Sequence, residues 1–265
     1  MEKYINSEAE KALMERVARF SVAVVGTEKD IEHGTGIPIS YKGIYFIITC
    51  LHTVNNIIPD KIRFIWRAED SVIVKDKHKL GEGMKEGNFR YTEMKKLPIA
   101  QIHKSSSDII DLAAIELKGI IKEKGLEFFD LKKENLDIPR AGLDIMMMGY
   151  AGETAKPFED IREHKAGYML FLHTDWPEIE ELGDNFGNLP NFSPKFHFLM
   201  KTHPSDQAVN PKGMSGCGIW TWSKAMPNQI WYPEIKLIGI QCAQYTQNKL
   251  LKATRADSLL GLLNK

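Results

Sequence analysis

The chain has 265 residues, a length at which one large domain and two small ones are both common. Hydrophobic residues make up 43% of it and charged residues 26%, the balance of an ordinary soluble globular protein, which argues against long disordered stretches. The 35 basic and 35 acidic residues cancel, so no overall field favours nucleic acid or an anionic membrane as a partner.

The start of the chain and its cysteines indicate the compartment. The first eight residues carry charges where a secretory signal peptide needs an apolar core, and no apolar run has the length of a membrane span. Cys50, Cys217 and Cys242 are odd in number and too sparse for a disulfide framework. We therefore expect a cytoplasmic protein. The histidines show no zinc-type spacing, so neither a metal site nor a cofactor is expected.

The first predicted element is a helix. Ser7 can cap it, Glu10 stands three residues on as in a capping box, and apolar residues recur at helical spacing to about residue 18. Short β-rich runs separated by turns follow. These runs lie at 21–26, 33–40, 44–49, 61–66, 99–103, 112–117, 143–150, 165–172, 196–201, 219–222 and 237–243. Within them, the methionines at 146–148 are expected to fill the core.

The remaining segments connect or end this pattern. Long exposed loops are expected at 75–96 and 175–194, and residues 118–140 are interpreted as the connection between two halves. The leucine-rich end, 248–263, is predicted to finish as a helix. Many short strands with helices at the two ends predict a mostly β protein, most simply two barrels in tandem.

The most distinctive stretch is Gly213-Met214-Ser215-Gly216, which precedes an apolar run. Glycine allows positive φ and a close approach of another chain. A nucleophile on a tight loop needs both if nearby backbone N–H groups are to hold a developing oxyanion. By itself the pattern also fits an ordinary turn, so its meaning depends on whether the chain supplies a base and an acid.

His52 and Asp111 can supply that base and acid. In acyl transfer, a histidine takes the proton of the serine, and a carboxylate fixes the imidazole tautomer and stabilises its charged form. The order His52, Asp111, Ser215 along the chain is one of three known for this chemistry. Asp108 is a rival acid, but Asp111 directly precedes the predicted strand at 112–117 and is preferred. Each residue alone also has a plain structural explanation.

Together these stretches resemble the trypsin/chymotrypsin-like serine proteases, in the style of bacterial members without disulfides. The residues that carry the resemblance are Gly34-Thr35-Gly36, Ile48-Thr49-Cys50-Leu51-His52-Thr53-Val54, Asp111-Leu112-Ala113-Ala114-Ile115, Gly213-Met214-Ser215-Gly216 and Leu237-Ile238-Gly239-Ile240. The resemblance implies two tandem six-stranded antiparallel β-barrels with an N-terminal and a C-terminal helix. Their expected bounds are 1–19 for the first helix, 20–125 and 126–246 for the barrels, and 247–265 for the last helix.

The resemblance also assigns roles around the serine. The N–H groups of Gly213 and Ser215 are expected to form the oxyanion hole. Met214 stands where secreted trypsins carry an aspartate that pairs with a newly cut N-terminus, so activation by such a cut is not expected. Val209, six positions before the serine, is expected to form the floor of the P1 pocket and to favour an apolar P1 residue. The other expected pocket residues are Lys212, Ala243 and Gln244.

The sequence therefore predicts a serine endopeptidase acting through an acyl-enzyme on a protein or peptide substrate. By resemblance, intracellular members can be regulated effectors under the control of a separate sensor protein. Two alternatives stay open. Cys217 could be the nucleophile, as in cysteine-using relatives of the fold, although Ser215 would then occupy the place of the oxyanion-hole glycine. The chain could also be a catalytically silent protease fold that serves as a binding module.

Overall fold

The computed structural model describes residues 7–26, 33–66, 95–107, 109–119, 121, 123, 125–151, 156–160, 165–169, 172–181, 189–201, 212–223 and 234–264. Within these ranges the chain forms three α-helices and sixteen strands. The first helix, α1, spans Ser7–Ala18 as predicted. Its apolar stripe, Leu13, Met14 and Val17, is buried, while Arg16 is partly exposed and pairs with Glu127. Packing of this stripe, rather than propensity alone, stabilises the helix.

The first sheet is built from the N-terminal half of the chain. Its strands are β1 (Val22–Gly26), β2 (His33–Tyr41), β3 (Ile44–Thr49), β4 (Ile62–Trp66), β5 (Ile99–Lys104), β6 (Ala113–Leu117) and β7 (Phe129–Asp130). Six of them pair in the order β4-β1-β2-β3-β6-β5, all antiparallel, and the two-residue β7 adds to β2 in parallel. Lys95 bridges back to Phe64 on β4, with a 2.9 Å N–H···O bond in each direction, and this bridge curls the sheet.

Two short features of this sheet place the residues that matter later. The predicted hairpin joins β2 to β3 through Lys42 and Gly43, whose φ angles of 49° and 79° match the turn that suits the strand twist. Helix α2 (Leu51–Val54) follows β3 directly. His52 therefore lies on a short helix that comes directly after the predicted strand at 44–49.

The second sheet is built from the C-terminal half. Its strands are β8 (Met146–Tyr150), β11 (Leu172–Asp175), β12 (Glu178–Ile179), β13 (His197–Lys201), β14 (Gly218–Trp222), β15 (Ile235–Tyr245) and β16 (Leu250–Arg255). They pair antiparallel in the order β11-β8-β14-β15-β16-β13-β12. β9 (Lys156–Asp160) and β10 (Lys165–Met169) form a separate two-stranded ribbon. Helix α3 (Ser258–Leu263) ends the described chain. Each sheet thus contains six longer strands, as expected, plus one two-residue strand.

Four predictions need correction. The last helix is only Ser258–Leu263, because residues before it form β16, which is paired on both sides with β15 and β13. The predicted strand at 165–172 is divided between β10 and β11. The expected loop at 175–194 contains β12, and the connection at 118–140 contains β7 and a 3₁₀ turn at Lys133–Asn135.

One apolar core joins the two sheets. It includes Leu13 of α1, Ile39 of β2 and Leu259 of α3, all completely buried. At its centre the Trp220 ring lies 5.0 Å from that of Phe129, so side chains from both halves meet in one cluster. The methionines at 146–148 are buried in strand β8, as predicted. None of the described helices has the length and apolar character needed to cross a lipid bilayer.

Candidate active site

His52 and Asp111 meet because the strands that precede and follow them are paired. β3 leads into α2 with His52, Asp111 lies two residues before β6, and Thr49 of β3 pairs with Ala113 of β6. His52 Nδ1 lies 2.5 Å from Asp111 Oδ2, and the His52 backbone N–H donates to Oδ1 at 3.0 Å. Both carboxylate oxygens are therefore occupied by one residue, which fixes the orientation of the imidazole ring.

The environment of Asp111 favours its ionised form. Burial by itself would raise the pKa of Asp111, but the hydrogen bonds and charge of His52, together with the charge of Lys252, outweigh burial and lower it. The Asp111 side chain is 25% exposed and that of His52 is 52% exposed. A substrate can thus reach the imidazole, while the carboxylate behind it stays largely shielded.

A buried polar group lies behind Asp111, on strands of the second sheet. Lys252 of β16 is 5% exposed and donates through Nζ to the Asn191 carbonyl at 3.0 Å. His197 of β13 is 1% exposed, and its Nδ1 accepts the Ser193 N–H at 3.0 Å. Burial and then the charge of Lys252 lower the pKa of His197 to about 4, so this imidazole is neutral near pH 7.

Cys50 completes the surroundings of the His52–Asp111 pair. Its Sγ and one ligand atom from each of these two residues lie within 4.8 Å of one another, an arrangement that raises the question of a metal ion. Two ligands of a tetrahedral zinc ion stand about 3.3 Å apart, given metal–ligand bonds of about 2.0–2.1 Å. The 2.5 Å separation of Nδ1 and Oδ2 is instead a hydrogen bond. Cys50 Sγ contacts the Gln241 carbonyl at 3.3 Å, and burial raises the pKa of this thiol.

The turn that carries Ser215 is a tight loop between two glycines in the left-handed backbone region. Gly213 has φ of 93° and Gly216 has φ of 96°. A Cβ atom on Gly216 would lie 2.0 Å from the Thr35 carbonyl oxygen and 2.5 Å from Thr49 Oγ1. Only glycine satisfies both the backbone angle and the space at position 216.

Some N–H groups of this turn have acceptors and others have none in the part of the chain that the structure describes. Gly216 N–H donates to the Gln241 carbonyl and Cys217 N–H to the Met214 carbonyl, at 2.8 and 2.9 Å. The N–H groups of Gly213, Met214 and Ser215 form no hydrogen bond with any described residue. Buried N–H groups are almost always paired. Consecutive unpaired N–H groups beside a serine are therefore suited to bind an anionic oxygen.

The serine turn contacts the barrel that holds His52. The Thr35 N–H donates to the Ser215 carbonyl at 2.8 Å. Gly34 lies between this carbonyl and the side chain of Thr53, the residue after His52; a Cβ atom there would meet them at 3.0 and 2.5 Å. Within the described ranges no hydrogen bond joins Ser215 Oγ to His52, and such bonds are often long before substrate binds.

The expected P1 pocket is only partly described. Lys212 and Gln244 are exposed and Ala243 is half-buried on β15, whereas Val209 lies outside the described residues. The rival acid Asp108 also lies outside them. Cys217 is completely buried, and burial followed by the charge of Asp175 raises the pKa of its thiol. Since thiolates are the reactive form, this environment argues against Cys217 as the nucleophile.

Sequence reasoning missed Thr35, Lys252 and His197 as parts of this site. Thr35 was visible between the two glycines of Gly34-Thr35-Gly36, but nothing in the sequence indicates what its hydroxyl contacts. Lys252 is the one charge in the run 250–254, a signal that becomes readable only when this run is recognised as a buried strand. His197 lies within a predicted strand and carries no spacing signal.

Comparisons with known proteins bear on the fold. No protein-family model matches the chain, and no curated protein matches it. The scabies mite inactivated protease paralogue S-I1 superposes with a TM-score of 0.60 at 15% identity, covering 94% of each chain. A second inactivated paralogue from the scabies mite, S-D1, gives 0.56 at 12% identity over 89% of this chain and 87% of its own.

Granzyme C is also similar, with a TM-score of 0.58 at 12% identity over 93% of each chain. At these identities the likeness concerns the fold alone. Two curled antiparallel sheets, one from each half of the chain, agree with these neighbours over nearly the whole length. The chain has the chymotrypsin-like two-barrel fold.

Proposed function

We propose that the protein is a serine endopeptidase that uses His52, Asp111 and Ser215. The observation that carries this proposal is the 2.5 Å His52–Asp111 pair, which lies in the barrel against which the serine turn and its unpaired N–H groups pack. The proposal assigns the base to His52, the acid that orients it to Asp111, the nucleophile to Ser215 and the oxyanion donors to the N–H groups of the turn, which are the parts that acyl transfer requires.

In the proposed reaction, Ser215 Oγ attacks the scissile carbonyl and its proton passes to His52 Nε2. The negative charge on the carbonyl oxygen is stabilised by the N–H groups of Gly213 and Ser215, and the imidazolium by Asp111. His52 then gives the proton to the leaving amine as the C–N bond breaks. A water molecule, deprotonated by His52, hydrolyses the acyl-enzyme and restores Ser215.

Labelling with a fluorophosphonate tests this proposal. The expected result is one adduct on Ser215, found by peptide mass spectrometry, which Ser215→Ala and His52→Ala abolish and Ser40→Ala on β2 does not. Cleavage of a peptide library should disappear in the same two variants. Cys217→Ser should keep its activity. An inactive Cys217→Ser variant together with an active Ser215→Ala variant would instead establish Cys217 as the nucleophile.

The substrate preference that we propose is an apolar P1 residue. Val209 is the basis, since a valine at the floor of the pocket leaves no buried carboxylate to receive Lys or Arg. The same peptide library reads this out. Cleavage mainly after basic residues would contradict it.

We also propose that activity does not require a cut that creates a new N-terminus. Met214 is 1% exposed and packs among apolar residues that include Ile145 and Met147. A methionine at this position has no carboxylate, so it cannot form a buried ion pair with the amine of a newly created N-terminus. Intact-mass measurement of active enzyme checks the idea, and a required cleavage near the start of the first barrel would refute it.

A binding module is the second candidate function. The observation that favours it is that two of the structural neighbours are inactivated proteases. For this chain the expected signature would be intact peptides after long incubation, no fluorophosphonate adduct, and equal binding of partners by the wild type and Ser215→Ala.

For the endopeptidase, we propose an intracellular role on a specific protein, under the control of a separate sensor. The supporting consideration is the resemblance to regulated intracellular members of the superfamily. N-terminal labelling of new cut sites in cells that contain the wild type or Ser215→Ala identifies the substrate. Co-purification with Ser215→Ala, which retains a bound substrate or regulator without cleaving it, addresses the partner.

A further inference from the structure

The three carbonyl groups of the serine turn are all held by hydrogen bonds. Thr35 Oγ1 donates to the Gly213 carbonyl at 3.0 Å, and the Thr35 N–H donates to the Ser215 carbonyl at 2.8 Å. The Met214 carbonyl accepts the Cys217 N–H at 2.9 Å. The acceptors of residues 213–215 are therefore anchored, whereas their N–H groups meet no acceptor among the described residues.

From this arrangement we infer that the Thr35 hydroxyl is a positioning residue for the oxyanion hole, acting through the Gly213 carbonyl. This inference rests on the proposed serine endopeptidase function and extends it to a side chain outside the triad. Thr35 is completely buried on β2, in the other barrel from the turn that it holds. Water does not compete with this contact, since the hydroxyl has no exposed surface.

The direction of the hydroxyl proton follows from its two partners. The Tyr150 N–H of β8 donates to Thr35 Oγ1 at 2.8 Å, which occupies a lone pair of the oxygen. The single hydroxyl proton is then left for the Gly213 carbonyl. Tyr150, Thr35 and Gly213 thus form a one-way series of hydrogen bonds across the seam between the barrels. Such series strengthen each member.

This series restricts rotation of the turn. Gly213 has no Cβ and tolerates many φ/ψ pairs, so little in its own covalent structure keeps its N–H aimed at a substrate oxygen. The bond from Thr35 Oγ1 fixes the 213–214 peptide on the C-terminal side of Gly213, whose own N–H lies in the neighbouring 212–213 peptide. Turning the 213–214 peptide would break this bond and leave two buried polar groups unpaired. By holding the Gly213 carbonyl, the hydroxyl limits the movement of the residue that carries the N–H, so the turn is ordered before substrate arrives, which is the condition for effective oxyanion stabilisation.

The test compares Thr35→Val, Thr35→Ser and Thr49→Val with the wild type. Valine keeps the shape of threonine and removes the hydroxyl, while serine keeps the hydroxyl. Thr49 is the matched control, because its buried hydroxyl donates to the Thr35 carbonyl at 2.7 Å and holds no carbonyl of residues 213–215. The readouts are the rate of Ser215 modification by an alkyl fluorophosphonate, kcat and KM for a cleaved peptide, and urea unfolding.

We expect Thr35→Val to slow Ser215 modification and to lower kcat by about 10- to 100-fold with KM nearly unchanged, less than the loss of an oxyanion donor itself. Thr35→Ser should stay within about 3-fold of the wild type, and Thr49→Val should lose a similar amount of stability but little rate. If Thr35→Val does not fold, Thr35→Ala takes its place, since its smaller side chain cannot crowd the seam.

Equal rate losses in the Thr35→Val and Thr49→Val enzymes would overturn the inference and leave a structural role for the hydroxyl. A higher KM in Thr35→Val with an unchanged kcat would also overturn the inference, because it would mean that the hydroxyl affects substrate binding alone. If the wild type is not modified at Ser215 and cleaves no peptide, the proposed function itself fails and the inference falls with it.

Discussion

At the scale of single residues, Gly216 and Gly43 share a left-handed backbone but differ in their surroundings. Gly43, in the β2–β3 turn with φ of 79°, has open space where a Cβ would lie. Gly216, with φ of 96°, faces the Thr35 carbonyl at 2.0 Å from that position. A substitution at Gly43 therefore measures the effect of backbone strain alone, whereas the same substitution at Gly216 measures strain and a steric clash together.

We predict that Gly43→Ala costs about 1–2 kcal/mol of unfolding free energy, the cost of a left-handed backbone for a residue with a Cβ, and keeps activity. Gly216→Ala carries the same strain plus the clash, so it should cost more and abolish fluorophosphonate labelling of Ser215. Urea unfolding and labelling of both variants check this. Equal stability and full labelling in the two variants would show that the turn relaxes around the added methyl group.

His52, Asp111 and Ser215 could be proposed from the sequence because acyl transfer requires these residue types. The residues that mark each of them are also its direct neighbours in the sequence. The roles of Thr35 and Lys252 could not be predicted in this way. Each acts across the seam or from the neighbouring sheet, on partners more than a hundred residues away along the chain. Such contacts depend on how the barrels pack, which a single sequence does not show.

At the scale of elements, β16 brings a buried cation to the back of the His52–Asp111 pair. The charge of Lys252 helps to lower the pKa of Asp111. Lys252 thus favours the ionised form of the carboxylate that orients the His52 ring.

We predict that Lys252→Met raises the pKa of the Asp111 carboxyl toward its usual value, because one of the charges that lower it is removed. Lys252→Arg, which keeps the charge, should leave this pKa in place. The measurement is a pH titration of the Asp111 carboxyl by NMR. An Asp111 pKa that is the same in Lys252→Met and in the wild type would mean that solvent screens the lysine from the carboxylate.

The same element shows why the C-terminal part of the prediction failed. Leucines at 250 and 251 among polar residues suggested a helix. In the structure, residues 250–254 of β16 are buried on both faces of the sheet, and β15 and β13 pair with its two edges. A strand covered on both sides loses the alternation that identifies strands in a sequence. Strands with a clear turn, such as the β2–β3 hairpin, were predicted well, because Lys42 and Gly43 mark the turn locally.

At the scale of the whole molecule, α1 and both sheets share one apolar core. Leu13 is completely buried in it, and side chains of both sheets belong to the same cluster. We predict that Leu13→Ala lowers the unfolding free energy by about 2–5 kcal/mol and that unfolding stays a single transition. Ile138→Ala is the control: Ile138 is 61% exposed, and the change should cost less than about 0.5 kcal/mol.

Urea unfolding followed by tryptophan fluorescence and by far-UV circular dichroism measures both variants. Two separate transitions in Leu13→Ala would contradict a shared core and indicate that the barrels unfold independently.

The whole molecule should also be sensitive to acid through His197. Its pKa is lowered to about 4 by burial and Lys252, against about 6.5 in the unfolded chain. Between these two pKa values the unfolded state therefore binds more protons than the folded state. The contribution of His197 to the unfolding free energy is fully present above pH 6.5 and is lost as the pH falls to about 4. The loss amounts to about 3 kcal/mol.

We predict that His197→Asn, whose Oδ1 can still accept the Ser193 N–H, removes most of this loss. The measurement is the urea unfolding free energy at pH 7.5 and pH 4.5 for both proteins. A wild type and variant that lose the same stability on acidification would assign the acid sensitivity to other groups.

The bond from Thr35 to Gly213 joins positions 178 residues apart. During synthesis, the first barrel with His52 and Asp111 emerges from the ribosome well before the serine turn does. For the proposed endopeptidase, an N-terminal fragment therefore holds the proposed base without the proposed nucleophile, and the isolated second barrel holds a serine whose turn lacks its anchor. On that proposal, cleavage requires the complete chain, and a truncated product that contains one barrel should not attack other proteins in the cell.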